Sequence, residues 1–165
     1  MRDDPQGSSP GARRPARSLR ATALGLLSMR EHSRAELTRK LGPQAESGEQ
    51  LQALLDELER AGYLSEQRFV ESLIRRRASR FGSRLIEREL REHRVADELS
   101  APLLEELARG DRDRALGVWR KRFGQAPQTL EERARQHRFL AQRGFDAETI
   151  AAVFRTIRDG GNDAR

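Results

Sequence analysis

The chain has 165 residues, of which 35% are Asp, Glu, Lys or Arg and only 36% are apolar, and its formal net charge is +6. Ordinary globular proportions are roughly 25% charged and 45–50% apolar, so one thick hydrophobic core is excluded and a thin, elongated fold or partial disorder remains. With no cysteine there is no disulfide scaffold, thiolate metal site or cysteine nucleophile, and no apolar run approaches the ~20 residues that span a bilayer.

Residues 1–15 hold three prolines, two glycines and no large apolar residue after Met1, which predicts a disordered tail. Residues 159–165 read the same way. The N-terminus lacks the apolar stretch of a signal peptide, so a soluble cytoplasmic protein is expected. Between the tails no alternating strand pattern occurs, and an all-α fold is predicted. Nine helices are expected, at about 17–30, 33–41, 47–61, 65–80, 83–93, 96–108, 111–123, 130–142 and 147–158. Capping boxes mark three starts: Ser33 with Glu36, Ser47 with Gln50, and Thr129 with Glu132. Leu64, Ser65 and Phe69 fit a hydrophobic staple, and Phe145, Asp146 and Ile150 repeat it.

A threefold repeat runs through these helices. Leu41 is followed at +13, +14 and +17 by Leu54, Leu55 and Leu58. Leu90 is followed at the same offsets by Leu103, Leu104 and Leu107, and Leu140 by Val153, Phe154 and Ile157. At +10 stand Leu51, Ser100 and Ile150, and four before the anchor stand Leu37, Ile86 and Gln136, so each position has one polar exception. Offsets of 13 and 17 share a helix face. Three short helices bury little alone but stack in series. The expected architecture is therefore an elongated array of three tandem three-helix modules, 16–64, 65–109 and 110–158, between tails 1–15 and 159–165.

The sequence carries no catalytic constellation. His32, His93 and His137 stand at non-equivalent places in the repeat and are read as surface or capping histidines. No histidine pair has metal-ligand spacing, no glycine set is spaced as a phosphate loop, and no serine sits in an elbow. No enzyme, cofactor or metal is expected.

Charge is more informative. Of the 32 basic residues only Lys40 and Lys121 are lysine. From Glu66 to Arg94 nine arginines face five glutamates, whereas Asp97 to Asp111 holds five acids and one arginine. Arg75, Arg76, Arg77, Arg80, Arg84, Arg88 and Arg91 form one basic group, with Arg84, Arg88 and Arg91 on one face; Arg120, Lys121 and Arg122 form a second. The plainest reading is solvated Arg–Glu pairing, but Arg84–Arg88 and Arg88–Arg91 are like-charge neighbours that such pairing disfavours. The functional reading is contact with an anionic partner, nucleic acid or an acidic protein surface. Aromatic residues are too sparse for a base-stacking platform.

Four motifs in order resemble the RecX family of recombinase regulators. Arg30, His32, Ser33, Glu36, Leu37, Lys40 and Leu41 are similar to its R-x-H-S-x-x-E-L-x-x-K-L signature. Gly62 and Leu64 leading to Arg68 and Phe69 resemble its G-x-L-x-D-x-R-F stretch, with Gln67 near the usual aspartate. Gly82, Ile86, Glu89 and Leu90 resemble its G-x-x-x-I-x-x-E-L segment, and Arg138, Phe139, Leu140, Arg143, Gly144 and Phe145 its R-F-L-x-x-R-G-F. Arg94 stands where the family usually has glycine, which relaxes the left-handed turn expected after the fifth helix. The resemblance implies a monomeric cytoplasmic protein that binds the RecA–DNA filament in its groove. There it would hinder ATP hydrolysis, strand exchange and repressor cleavage, with single- or double-stranded DNA as a weaker contact and no membrane. A stand-alone DNA-binding protein and a helical adaptor for another protein are the alternatives.

Overall fold

The computed structural model describes residues 18–160. Among them are nine α-helices and no strand: α1 Leu19–Met29, α2 Arg34–Leu41, α3 Gly48–Arg60, α4 Glu66–Arg77, α5 Ser83–Glu92, α6 Asp97–Arg109, α7 Asp111–Arg122, α8 Leu130–Gln142 and α9 Ala147–Gly160, with a 3₁₀ turn at Gly42–Gln44. The tail expected at 1–15 lies outside the described residues. So do 161–165, while α9 runs two residues past its expected end.

The helix starts follow the capping chemistry. The hydroxyls of Ser18, Ser33, Ser47, Ser65 and Thr129 each accept from the backbone N–H three residues on, as does the Asp146 carboxylate. The reciprocal half is made near Ser47 and Thr129, where Gln50 and Glu132 accept from the N–H of Glu46 and Gln128. It is missing at Ser33, where the Glu36 carboxylate turns to cations instead. Phe145 and Ile150 share one core. Leu64 and Phe69 do not; they lie in the first and second cores and flank a module boundary.

Each module owns a core, and every repeat position at +13, +14 and +17 packs into it. The first gathers Leu37, Leu41, Leu51, Leu55 and Leu58; the second Phe69, Leu73, Ile86, Leu90 and Leu107; the third Trp119, Leu140, Phe145, Ile150 and Val153. Three small cores in series replace one thick one. The polar exceptions are buried and satisfied: Ser100 Oγ donates to the Ala96 carbonyl, and Gln136 Oε1 accepts from Trp119 Nε1 at 2.7 Å.

Helix α4 stops at Arg77, three residues before its expected end. The chain then turns through Ala78–Phe81, and the Gly82 N–H bonds the Arg143 carbonyl at 2.8 Å instead of extending the helix. Arg94 keeps the left-handed conformation that its family position requires, with φ of 57°.

Candidate anion-binding surface and the junctions that build it

The first signature is a buried charge centre. Glu36 is buried between Arg30 and Lys40, both of which bond its carboxylate. Burial pushes the Glu36 carboxyl up, but the hydrogen bonds from Arg30 and Lys40 and the neighbouring positive charge outweigh it and hold it at about 2. His32 is buried as well, which corrects the surface or capping role expected for it. Burial lowers its pKa, against the backbone bond to Arg30 and the charge of Glu36. The neutral ring fits its neighbours as the Nδ1–H tautomer. Nδ1 donates to the Arg30 carbonyl at 2.9 Å and Nε2 accepts from Lys40 Nζ at 3.2 Å. The signature thus locks the α1–α2 loop.

That loop makes the junction between modules 1 and 2. Glu31 pairs with Arg68 at 2.8 Å, Glu66 accepts from the Arg34 N–H at 3.0 Å, and Ser33 Oγ meets His93 Nδ1 at 3.1 Å. His93 also packs edge-on against Phe69, ring centroids 4.8 Å apart.

The junction between modules 2 and 3 is built differently. Gly82 and Gly144 meet backbone to backbone. A Cβ on Gly82 would lie 2.5 Å from the Gly144 carbonyl oxygen and 2.7 Å from the Phe145 ring. Gly144 has φ of +83°, and a Cβ there would lie 2.5 Å from the Leu85 nitrogen. Beside them the buried Asp111 accepts from the Ser83 hydroxyl at 2.6 Å and the Ser83 N–H at 3.1 Å, and pairs with Arg114. No charge signal in the sequence marked Asp111 as structural; it stood at the end of an acidic run.

The predicted basic residues divide into three sets. Arg77 is committed to Glu89 through two bonds of 2.9 and 2.8 Å, Arg91 to Glu87, and Arg88 faces Glu92 at 4.0 Å. Arg75, Arg76 and Arg84 are exposed on α4 and α5, and Arg120 is exposed on α7. Arg80, Lys121 and Arg122 come together, although they belong to the two separate groups of the sequence. They surround a cavity of about 290 Å³ with Ser79, Val118, Phe139 and Arg143.

Arg143 is the residue that sequence reasoning named only for its motif. Its guanidinium lies 3.6 Å from the centre of the Phe139 ring and reaches one protein acceptor, the Phe139 carbonyl at 3.4 Å. Burial pushes its pKa down, and the charges of Arg80 and Arg122 push it further. A second cavity of about 480 Å³ shares Arg122 and Phe139 and adds Phe123, Arg135, Arg138 and Gln142. No carboxylate lines either cavity. Among the described residues, no ion pair involves Arg80, Lys121, Arg122, Arg135, Arg138 or Arg143, whereas Arg20, Arg30, Arg34, Arg68, Arg77, Arg109 and Arg114 are all paired.

Family models for the second and third three-helix domains of RecX match residues 65–101 and 111–154. A "Regulatory protein RecX" of Herbaspirillum seropedicae is 48% identical over 143 residues, covering 87% of this chain and 93% of that one. This chain belongs to the RecX family. The namesake protein of Ralstonia nicotianae is 46% identical over 136 residues, covering 82% of this chain and 86% of its own. The crystal structure of RecX from Lactobacillus salivarius superposes with a TM-score of 0.68 at 15% identity, covering 85% of this chain and 94% of that one. At that identity the likeness speaks for the fold, an all-helical array shared within the family. No helix among the described residues is long and apolar enough to cross a membrane. No group of three or more acidic or histidine residues among them is placed to hold a metal.

Proposed function

We propose that this protein is a non-enzymatic, cytoplasmic modulator that binds the RecA–DNA filament as a monomer, seats in the filament's helical groove and slows RecA ATP hydrolysis, strand exchange and repressor cleavage. Membership of a family of regulatory proteins over most of the chain carries the reading. The physical support is the array itself. Three modules fixed in line by hydrogen-bonded or glycine-packed junctions hold several surfaces at set spacing, which suits a partner built of repeating subunits. Weak contacts at neighbouring subunits then multiply.

The reading is tested in a RecA ATPase assay on single-stranded DNA. Sub-stoichiometric protein is expected to slow hydrolysis; an unchanged rate at equimolar protein overturns the proposal. Arg84→Glu with Arg75→Glu, at positions free of ion pairs among the described residues, is expected to weaken inhibition with helix content unchanged. Arg77 is a poorer probe, because reversing it also breaks the pair with Glu89.

The unpaired cations between modules 2 and 3 favour a second reading, a protein that binds DNA on its own with a secondary effect on RecA. Titration of single-stranded and duplex DNA at two salt concentrations separates the two. Nanomolar binding at physiological salt supports autonomous DNA binding, and weak, steeply salt-dependent binding leaves DNA an accessory contact.

A further inference from the structure

We propose that the cavity between modules 2 and 3 is a binding site for two neighbouring phosphate groups, held by Arg80, Lys121, Arg122 and Arg143. Four side chains of one sign converge on this cavity from three segments: the turn after α4, the C-terminal end of α7 and the C-cap of α8. The arrangement is costly for the protein alone. No carboxylate lines the cavity to offset the four charges. Arg143 is less exposed than the others and stacked on Phe139, and burial first, then the charges of Arg80 and Arg122, lower its pKa. An anion placed between the four would remove that repulsion and supply the missing acceptors. Arginine forks match phosphate oxygens geometrically.

The size and setting narrow the ligand. A cavity of about 290 Å³ lies at the small end of ligand sites, suited to a phosphate pair and not to a whole cofactor. Phosphate groups in pairs come from a single-stranded DNA backbone or from a free diphosphate. The site is also rigid. The Gly82 N–H bond to the Arg143 carbonyl and the contact between Gly82 and Gly144 fix Arg80 and Arg143, 63 positions apart in the sequence, relative to each other. Both family-motif glycines thereby act as positioning residues for the cavity.

The test uses the full chain without RecA, so its failure leaves the filament reading standing. Binding of inorganic pyrophosphate is measured by calorimetry, and binding of a fluorescent oligo-dT by anisotropy, for wild type, Lys121→Met and Arg143→Met. Arg60→Met with Arg155→Met serves as a control that removes two exposed charges outside the cavity. Each cavity variant is expected to weaken one or both ligands about tenfold or more, with the control unchanged. Loss confined to oligo-dT identifies the DNA backbone as the source; loss confined to pyrophosphate identifies a free anion. The proposal is overturned if the control loses as much as the cavity variants, or if neither ligand responds to either variant. Should Arg143→Met fail to fold, the exposed Lys121 still decides the matter.

Discussion

The two junctions join similar modules by opposite means. Between modules 1 and 2, polar groups are matched: Glu31 with Arg68, Glu66 with the Arg34 N–H, Ser33 with His93. Between modules 2 and 3, two glycines bring the backbones into contact, Asp111 ties Ser83 to Arg114, and the cations on the flank stay unpaired. A polar junction tolerates small shifts, because side chains and water re-form its bonds. A backbone contact does not. The second junction is therefore the stiffer, and it is also the one that carries uncompensated charge. The difference teaches that stiffness and unpaired charge coincide at one junction: the backbone bond from Gly82 to Arg143 brings Arg80 and Arg143 to a single cavity.

The largest expected effect breaks the stiff junction. Gly144→Ala adds a methyl group at a positive φ and drives it into Leu85. No far end of a flexible side chain is available to yield, since the Leu85 backbone itself is in the way. A loss of about 3 kcal/mol or more is expected, measured by urea unfolding, together with loss of anion binding. Asp111→Asn is milder. It keeps the shape but removes the charge that Ser83 and Arg114 share, and is expected to cost about 2 kcal/mol. An unchanged midpoint for Asp111→Asn would show that the glycine contact alone holds the modules together.

The matched junction responds to pH. Glu36 anchors the loop that bears Glu31 and Ser33, and its carboxyl lies at about 2 in the fold against an ordinary 4.5. Because the folded value is depressed, the stabilisation is fully present above about 4.5 and is lost as pH falls toward 2. His32 is also depressed below its ordinary 6.5 by burial. The unfolded chain takes up that proton first, so stability begins to fall as pH drops below 6.5. Thermal unfolding is therefore expected to show two acid stages. Glu36→Gln should remove the lower one and lower stability at neutral pH by about 2–3 kcal/mol, less than for a fully buried pair because Arg30 and Lys40 reach water. His32→Asn should remove the upper stage. A single stage that both variants leave in place would move acid sensitivity away from this loop.

Much of this was legible in the chain because it is local or periodic. Caps at Ser33, Ser47, Ser65 and Thr129 lie within four residues of what they bond, and leucine anchors repeating at fixed offsets expose three cores without any knowledge of how modules meet. The cation cavity was not legible. Arg80 and Arg143 are far apart in sequence, and only the meeting of Gly82 with Gly144 brings them together. The signal, an arginine within two residues of each glycine, has no periodicity to make it stand out. Burial of His32 and Asp111 escaped for a related reason: a polar residue is read as exposed unless its partners are known, and their partners come from tertiary packing as well as from neighbours in the chain.

The smallest expected effect separates backbone conformation from packing. Three helices end in the same way. The N–H of Tyr63, Val95 and Phe145 bonds the carbonyl of Leu58, Leu90 and Leu140, and the residue just before each is left-handed: Gly62, Arg94 and Gly144. Arg94 bears the strain that glycine avoids, about 1 kcal/mol, and its side chain is exposed. Arg94→Gly relieves that strain while giving the unfolded chain more freedom, worth about 0.4–1 kcal/mol in the other direction. A net gain of about 0.5 kcal/mol at most is expected in the urea midpoint. The same backbone turn thus accepts either residue beside the matched junction, where space is open, and only glycine at the stiff one, where Leu85 fills it. A clear fall in stability for Arg94→Gly would mean that the Arg94 side chain makes contacts outweighing its strain, and the contrast between the junctions would then rest on Gly82 and Gly144 alone.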